Sequence, residues 1–478
     1  MKLQRVAIGL FFLSACAESP SGAPSTGGTT ANGGASGGTH SSGGVTTGGT
    51  TSSGGVATGG TTASGGTTSS GGTTSSGGTT DEGGSGGGTS GSDGGTVTGG
   101  SSGSGGATGG KTGTGGNTSS GGAAGGKTGG ATGGGGATAT GGSTSSGGGS
   151  GSRAPICTFA SGLNVAWVQF AGDVPNPQLA TFNKIFKDAH DAGGRIMRWW
   201  FHTNGSVTPG YNADGTVKKI PQTHIDGVKA ILNAANTNGV AVVISLFSFD
   251  MAQDNAGAAA TQNQAFLTTD NLRQSYIDNY LTDLVKALKG TPGLYAYEIF
   301  NEPEGMSTKG WTTKFKIDEK YIQMCVNWFA DAIHAADPTA LVTNGSQTFD
   351  YCSGVSGKNN YYSDTTLRTV GLKQGGTLDF YEVHYYAVNG ISNSCFKNPA
   401  SYWKLDKKLV MGEFAAYSGD TDGVAVADTY TNLFTNGYSG AWAWSYTEGN
   451  ANYKWPSMQA PMQNLYNAQK ATVDSCHP

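Results

Sequence analysis

The chain has 478 residues, of which 83 are glycine, and its formal net charge is −4. This small charge, without any block of Lys or Arg, argues against a dedicated nucleic-acid partner. No apolar run reaches the roughly 18 residues that a membrane-spanning helix needs. Residues 17–150 contain no Phe, Tyr or Trp, so only the C-terminal part of the chain can bury a sizeable core.

Residues 1–16 have the layout of an export signal. Lys2 and Arg5 precede a short apolar run over residues 6–13, which is too short to span a bilayer. The segment LSAC at residues 13–16 resembles the lipobox of bacterial lipoproteins, which implies that Cys16 receives a lipid and becomes the mature N-terminus. Cleavage after Ala17 is the alternative. We therefore expect an exported, envelope-anchored lipoprotein that touches the membrane only through Cys16, or a secreted protein if Cys16 is not lipidated.

Residues 17–152 cycle through Gly, Ser and Thr, a composition typical of a disordered linker. Six-residue repeats such as TTSSGG could indicate a β-helix, but that fold needs inward apolar residues to stack, and here there are only Ala and scattered Val. Glycine raises the entropic cost of ordering, and no buried surface would offset it. As a flexible coil, this linker has an expected reach of about 60–70 Å.

Residues 153–478 alternate short apolar runs with longer segments of helical period. The predicted strands are 162–166, 195–200, 240–247, 294–300, 341–344, 378–384, 409–412 and 440–444. The predicted helices include 177–192, 225–238, 270–289 and 321–336, and the first two stop at Gly193 and Gly239. Eight strands alternating with helices over about 310 residues predict a (β/α)8 (TIM) barrel. A doubly wound open sheet is the alternative, but no Gly-rich phosphate loop follows the first strand.

Two carboxylates follow strands of this predicted barrel, Glu302 after the fourth strand and Glu413 after the seventh. Functional residues of such barrels cluster where the strands end. Cleavage of a glycosidic bond needs one carboxylic acid to protonate the leaving oxygen and one carboxylate to attack the anomeric carbon. This pair, with aromatic neighbours, therefore indicates a glycosidase. Glu298, Glu304 and Glu382 are expected to be structural carboxyl groups instead.

The strand ends also resemble glycoside hydrolase family 5, a retaining (β/α)8 family of clan A. The resemblance rests on Asn301-Glu302-Pro303, Glu413, His384-x-Tyr386 and Trp444. More narrowly, six segments resemble the animal-type endo-β-1,4-mannanases of that family: GLNVAWVQF, AYEIFNEPEG, NWFADAIHAADPTALVTNGS, LDFYEVHYY, VMGEF and GYSGAWAWS. This resemblance implies an endo-acting hydrolase that cleaves β-1,4-mannosidic bonds of a polysaccharide by retaining double displacement. We expect a monomer that needs no metal and no organic cofactor.

Carried over by position, the resemblance implies that Glu302 is the acid/base and Glu413 the nucleophile. Arg198 would pair with the nucleophile and keep it ionised, and Asn301 would hydrogen-bond the 2-hydroxyl of the sugar. The other candidates for the substrate cleft are imidazole and aromatic side chains: His384, Tyr386, Trp444, Trp200, Trp167 and His202. Many family members carry a His after the third strand, where this chain reads LFSFD at residues 246–250. Substrate contacts on that side cannot be carried over.

Two other functions stay open at this point. A β-1,4-glucanase would use the same catalytic pair and differ in how it receives the C2 hydroxyl, which is axial in mannose and equatorial in glucose. A stalked, non-catalytic carbohydrate-binding protein would be expected to lack one of the two carboxylates, and both are present.

Five cysteines besides Cys16 lie in the exported part of the chain, where disulfides can form. We expect Cys157 to pair with Cys476, because these residues flank the barrel and a barrel brings its ends together. We also expect Cys352 to pair with Cys395, since both fall in loops on the predicted active-site face. Cys325 falls mid-helix and is expected to be a buried free thiol.

Overall fold

The computed structural model describes residues 152–448 and 454–476, and a closed barrel of eight parallel strands forms its centre. The strands are β1 (Ala160–Ala166), β2 (Ile196–Thr203), β3 (Ala241–Ser248), β4 (Leu294–Asn301), β5 (Val342–Ser346), β6 (Tyr381–Tyr385), β7 (Leu409–Phe414) and β8 (Gly440–Ala443). Each strand pairs with the next one along the chain, and β8 closes the barrel by pairing with β1. The predicted (β/α)8 barrel is confirmed, and every predicted strand overlaps an observed one.

Helices follow or link the strands on the outside of the barrel. They are α1 (Leu179–Asp191), α2 (Gln222–Thr237), α3 (Ala259–Thr268), α4 (Asp270–Tyr276), α5 (Thr282–Leu288), α6 (Glu319–Ala336), α7 (Asp364–Gly371), α8 (Thr429–Thr435) and α9 (Gln459–Asp474). The first two end as predicted, because Gly193 and Gly239 adopt φ angles of 90° and 72°, which glycine tolerates best. The helix predicted over 270–289 is divided by a π-helical turn at Ile277–Leu281.

The strands are buried on both faces, which explains why they read as nearly continuous apolar runs. Their outward side chains pack against the helices. In α1, for example, the apolar residues Phe182, Ile185 and Phe186 are buried at helical spacing, and Phe182 contacts Trp199 of β2. This outer layer holds most of the hydrophobic core.

The end of the barrel where the strands begin is closed by a separate apolar cluster, here called the lower plug. It consists of Ala160, Ile196, Ala241, Val243, Tyr295, Ala296, Leu341, Phe380, Val410, Trp442 and Cys476. Cys476 forms a disulfide with Cys157, and their Cα atoms lie 5.0 Å apart. The predicted pairing is therefore confirmed, and it ties the segment before β1 to the end of the chain.

The second predicted disulfide is wrong, because Cys352 and Cys395 are both free and buried. The thiol of Cys352 lies near Glu304, whereas the thiol of Cys395 lies near Asp422. Position in loops on one barrel face does not bring two thiols together, since each side chain is packed into its own surroundings. Cys325 is a buried free thiol, as predicted.

The predicted export signal, the lipidation site at Cys16 and residues 17–151 of the predicted linker lie outside the described residues. Within the described part of the chain, no helix combines the length and the apolar character needed to cross a membrane.

Candidate active site

The predicted acid/base, the predicted nucleophile and their expected neighbours meet at the end of the barrel where the strands stop. His384 of β6 stands in register with Glu413 of β7. The backbone N–H of Glu302, just past β4, donates to the carbonyl of Gly345 in β5 over 2.7 Å. Because parallel strands of a barrel end on one face, residues distant in sequence become neighbours here.

Glu302 has a left-handed backbone, with φ 44° and ψ 51°. In an extended strand the side chains of Asn301 and Glu302 would point in opposite directions. The left-handed turn allows Asn301 to contact Arg198 while Glu302 contacts His384. This conformation costs a residue other than glycine about 1–2 kcal/mol, and such strain is found at functional sites.

Both oxygens of Glu413 accept hydrogen bonds from side chains. Arg198 Nη1 donates to Oε1 over 2.6 Å, and the Tyr386 hydroxyl donates to Oε2 over 2.8 Å. The Glu413 side chain is only 6% exposed. These two donors hold the carboxylate in one orientation and stabilise its ionised form.

Arg198 is fully buried and faces three carboxyl groups rather than one. Its Nε and Nη2 form a paired bridge to Glu298, with both distances 2.6 Å, and Nε also lies 3.0 Å from Glu382. Burial raises the pKa of both Glu298 and Glu382, with Arg198 opposing the rise in each case. The positive charge of Arg198 that stabilises ionised Glu413 therefore also stabilises two other carboxyl groups.

The two candidate catalytic carboxyls differ in which form they favour. Burial and the charge of Glu413 raise the pKa of Glu302 well above its ordinary value. Burial also raises the pKa of Glu413 to about 7, although Arg198 and the Tyr386 hydroxyl oppose the rise. When only one of the two carboxyl groups is ionised, the donors that bind Glu413 favour the negative charge on Glu413. The proton is then on Glu302.

His384 connects the two carboxyl groups. Its Nδ1 lies 2.9 Å from Glu302 Oε1 and 3.7 Å from Glu413 Oε2. Burial, assisted by the charge of Arg198, lowers the pKa of His384 well below its ordinary value, so its ring is neutral. A neutral imidazole can accept a hydrogen bond from protonated Glu302 or donate one to its carboxylate, depending on the tautomer.

An aromatic cluster adjoins these residues. The rings of Trp167, Trp200 and Trp444 contact one another, with centroids 5.2–6.2 Å apart, and the Arg198 guanidinium lies 5.6 Å from the Trp200 ring. Trp444 is held beside β7, because its backbone N–H donates to the carbonyl of Phe414 over 2.9 Å. Three of the predicted cleft residues are thus brought together beside Arg198, which binds Glu413.

His202 does not join this site, contrary to the prediction. Its Nδ1 lies 2.7 Å from Thr208 Oγ1, and its Nε2 lies 3.1 Å from the hydroxyl of Tyr276 in α4. The pairing of β2 with β3 is irregular between Trp200 and Thr203. His202 consequently packs between the barrel and the helices, and burial lowers its pKa well below the ordinary value.

Three further residues of the site, Asn164, Ser248 and Asp250, are not among the predicted site residues, although they lie in segments that the sequence analysis singled out. Asn164 of β1 accepts a hydrogen bond from Arg198 over 2.8 Å, and Asn301 accepts another from the same guanidinium over 2.8 Å. Ser248 and Asp250 continue this network from the end of β3. The signal that could have found them is a polar residue in a fully buried strand, inside β1 for Asn164 and at the end of β3 for Ser248.

Within the described residues, one group of side chains has the spacing of a metal site, namely Glu302, His384 and Glu413. Suitable atoms of these three residues all lie within 4.8 Å of one another. The Arg198 guanidinium already binds Glu413, and His384 Nδ1 already binds Glu302, so the carboxylates face a fixed cation and a hydrogen-bond partner. The same spacing suits two carboxyl groups acting on one bond of a substrate.

Comparisons with known proteins match the barrel region. The family model described as cellulase (glycosyl hydrolase family 5) matches residues 159–450. The chain is 34% identical over 318 residues to the mannan endo-1,4-beta-mannosidase of Cryptopygus antarcticus, across 61% of this chain and 81% of that protein. It is 35% identical over 315 residues to the mannan endo-1,4-beta-mannosidase of Mytilus edulis, across 61% and 84% of the two chains. The X-ray structure of the beta-mannanase from the blue mussel Mytilus edulis matches with a TM-score of 0.59 and 32% identity, covering 64% of this chain and 91% of that one.

Proposed function

Because the chain belongs to glycosyl hydrolase family 5 and is therefore a glycosidase, we propose that it hydrolyses β-1,4-mannosidic bonds within mannan chains and retains the anomeric configuration. The observation that carries this proposal is the meeting of Glu302 and Glu413 on one face of the barrel, in a chain that resembles mannan-cleaving relatives along the whole barrel.

The separation of the two carboxyl groups supports retention. One oxygen of Glu302 and one of Glu413 lie within 4.8 Å of each other. Retaining glycosidases place their carboxyl groups about 5–5.5 Å apart, whereas inverting enzymes leave roughly 6.5–9.5 Å for a water molecule. The observed spacing favours direct attack by a carboxylate.

In the first step, Glu413 attacks the anomeric carbon while protonated Glu302 gives its proton to the leaving glycosidic oxygen. A covalent glycosyl–enzyme forms, and the shortened chain departs as an alcohol. In the second step, ionised Glu302 takes a proton from water, and the resulting hydroxide displaces Glu413 from the sugar. The raised pKa of Glu302 suits a proton donor. The hydrogen bonds that Arg198 and Tyr386 donate to Glu413 keep it ionised, as a nucleophile must be.

Mannan is proposed as the substrate in preference to β-glucan because the relatives from Cryptopygus antarcticus and Mytilus edulis both bear the name mannan endo-1,4-beta-mannosidase. A β-1,4-glucanase remains the alternative, since it would use the same two carboxyl groups. The test is to assay the purified full-length protein on linear mannan, galactomannan, carboxymethylcellulose and xylan. We expect a rapid fall in mannan viscosity with slow release of reducing ends, as endo-cleavage requires. Activity on carboxymethylcellulose alone would contradict the proposal.

The stereochemistry is tested separately. Proton NMR during early hydrolysis of a soluble manno-oligosaccharide should show the β-anomer of the new reducing end before mutarotation. First appearance of the α-anomer would rule out the retaining pathway.

We also propose, from the lipobox alone, that Cys16 carries lipid and holds the enzyme at the cell envelope. Replacement of Cys16 by Ser should move the protein from the membrane fraction to the soluble fraction. Unchanged membrane association would contradict the anchor.

A further inference from the structure

The end of β3 is where this chain departs from the family pattern, and two polar residues occupy that position. Ser248 is the last residue of β3 and stands in register with Asn301 of β4. Asp250 lies two residues further on, in a single 3-10 turn at Phe249–Ala252. Both side chains are buried, and Ser248 binds Asn301, the residue before Glu302.

The hydrogen bonds between these residues run in one direction. Arg198 Nη2 donates to Asn301 Oδ1 over 2.8 Å, Asn301 Nδ2 donates to Ser248 Oγ over 3.3 Å, and Ser248 Oγ donates to Asp250 Oδ2 over 2.7 Å. A hydroxyl has one hydrogen, so a serine that gives it to a carboxylate can only accept from its other neighbours. The Asn301 amide must then turn its nitrogen towards Ser248 and its oxygen towards Arg198.

Asp250 sets this direction because an ionised carboxylate only accepts hydrogen bonds. Its Oδ1 accepts a second one from Asn255 Nδ2 over 3.3 Å. Burial raises the pKa of Asp250, and the donors Ser248 and Asn255 oppose that rise. A neutral amide at this position could donate to Ser248 and so reverse the direction of the hydroxyl.

We propose that Ser248 and Asp250 are positioning residues of the reaction, which hold the Asn301 amide with its second N–H directed at the 2-hydroxyl of the sugar that is attacked. The Asn301 nitrogen has two hydrogens, and Ser248 binds one of them. If the amide rotated by half a turn, its nitrogen would face the guanidinium of Arg198, donor against donor. This inference rests on the proposed function, because the contact between Asn301 and the 2-hydroxyl is taken from the family resemblance.

The expected kinetic signature follows from when this contact matters. Hydrogen bonds to the 2-hydroxyl strengthen in the transition state of retaining glycosidases. Loss of the alignment should therefore lower kcat and leave KM nearly unchanged. A residue with a merely structural role would lower the rate equally for substrates with and without that hydroxyl.

The experiment compares an aryl β-mannobioside with its analogue that lacks the 2-hydroxyl on the sugar bound to the aryl group. For Ser248→Ala and Asp250→Asn we expect kcat on the parent glycoside to fall by about 10²-fold, the loss that misplacement of a reacting group can cause. On the analogue, both variants should stay close to the wild-type rate. Ser248→Thr keeps the hydroxyl and should recover much of the activity on the parent glycoside.

The matched control is Ser161→Ala, which removes another buried strand serine whose Oγ has no hydrogen-bond partner among the described residues. It should behave as wild type on both glycosides. Equal losses on the two glycosides, or an Asp250→Asn enzyme with wild-type kcat on the parent, would overturn the assignment. If the wild type cleaves cellobiosides instead of mannobiosides, the same comparison in that series still tests it, so failure of the mannan proposal remains distinguishable.

Discussion

The two ends of the barrel are made by the same eight strands, yet they bury opposite kinds of side chain. The lower plug is apolar and is closed by the disulfide between Cys157 and Cys476. The opposite end buries one guanidinium, that of Arg198, together with several carboxyl groups that include Glu298 and Glu413. Burial of apolar surface stabilises a fold, whereas burial of charges in an ion pair often does not.

This difference separates stability from chemistry within one domain. At the upper end, burial raises the pKa of Glu302 and Glu413, and a left-handed backbone orients Glu302. Such features destabilise a protein locally and persist only when the surrounding structure holds them in place. The lower plug and the helices supply that support, and within the described residues the side-chain hydrogen-bond partners of Glu302 and Glu413 come from neither of them. Substitutions at the two ends should therefore affect different measurements.

The largest expected effect is on the rate, after removal of either carboxyl group at the upper end. Glu413→Ala should lower kcat on every substrate by about 10⁵-fold or more, as loss of a catalytic nucleophile does elsewhere. Glu302→Ala should lower mannan hydrolysis by about 10²–10⁴-fold but spare the first step on aryl glycosides, whose leaving group needs no proton. A melting temperature close to that of the wild type would show that the losses are chemical.

Azide distinguishes the roles of the two carboxyl groups. It should rescue Glu302→Ala by attacking the glycosyl–enzyme and give a β-glycosyl azide. In Glu413→Ala it should take the place of the nucleophile and give an α-glycosyl azide. The opposite assignment of products would show that the two roles are exchanged.

Substitutions of two tryptophans in one chain segment allow the two ends of the barrel to be compared directly. Trp442 is fully buried in the lower plug, and Trp444 lies two residues later in the aromatic cluster. Trp442→Ala should reduce the free energy of unfolding by about 3–5 kcal/mol and leave kcat unchanged in the folded enzyme. Trp444→Ala should lower kcat/KM by about tenfold or more, equal to roughly 1.4 kcal/mol of transition-state binding, with a small change in stability. Denaturant unfolding and initial rates measure both, and similar effects of the two variants on each measurement would contradict the separation.

The disulfide should act on stability alone. Replacement of Cys157 and Cys476 by Ala should lower the free energy of unfolding by about 2–4 kcal/mol while kcat on mannan stays at the wild-type value. In the barrel region, alkylation of the unfolded, unreduced wild type should label Cys325, Cys352 and Cys395, and should label Cys157 and Cys476 only after reduction. Protection of Cys352 and Cys395 before reduction would contradict the structure.

The smallest expected effect is a shift of the pH profile. Tyr386→Phe removes the hydroxyl that binds Glu413 Oε2 and favours its ionised form. The pKa of Glu413 should rise, so the acidic limb of kcat/KM should move to higher pH by about one unit. Tyr385→Phe is the matched control, because its hydroxyl binds Asp422 instead. An unchanged acidic limb in Tyr386→Phe would show that Glu413 does not govern it.

The amino-acid sequence alone predicts the barrel and the two carboxyl groups. Strands and helices are read from periodicity and from stop signals such as Gly193, which act over a few residues. Once eight strands alternate with helices, the residues at the carboxyl ends of β4 and β7 must share one face, and this rule identifies Glu302 and Glu413.

The surroundings of those carboxyl groups depend on the folded barrel. The sequence indicated an arginine for Glu413, but only the folded barrel shows that Arg198 also binds Glu298 and Glu382. Irregular pairing of β2 with β3 directs the His202 side chain away from the site. Cys352 and Cys395 pack in different surroundings and do not form a disulfide. Distances between residues far apart in the sequence depend on barrel closure, local register shifts and loop packing. Local sequence patterns carry little information about those features, because each one is set by contacts with the rest of the chain.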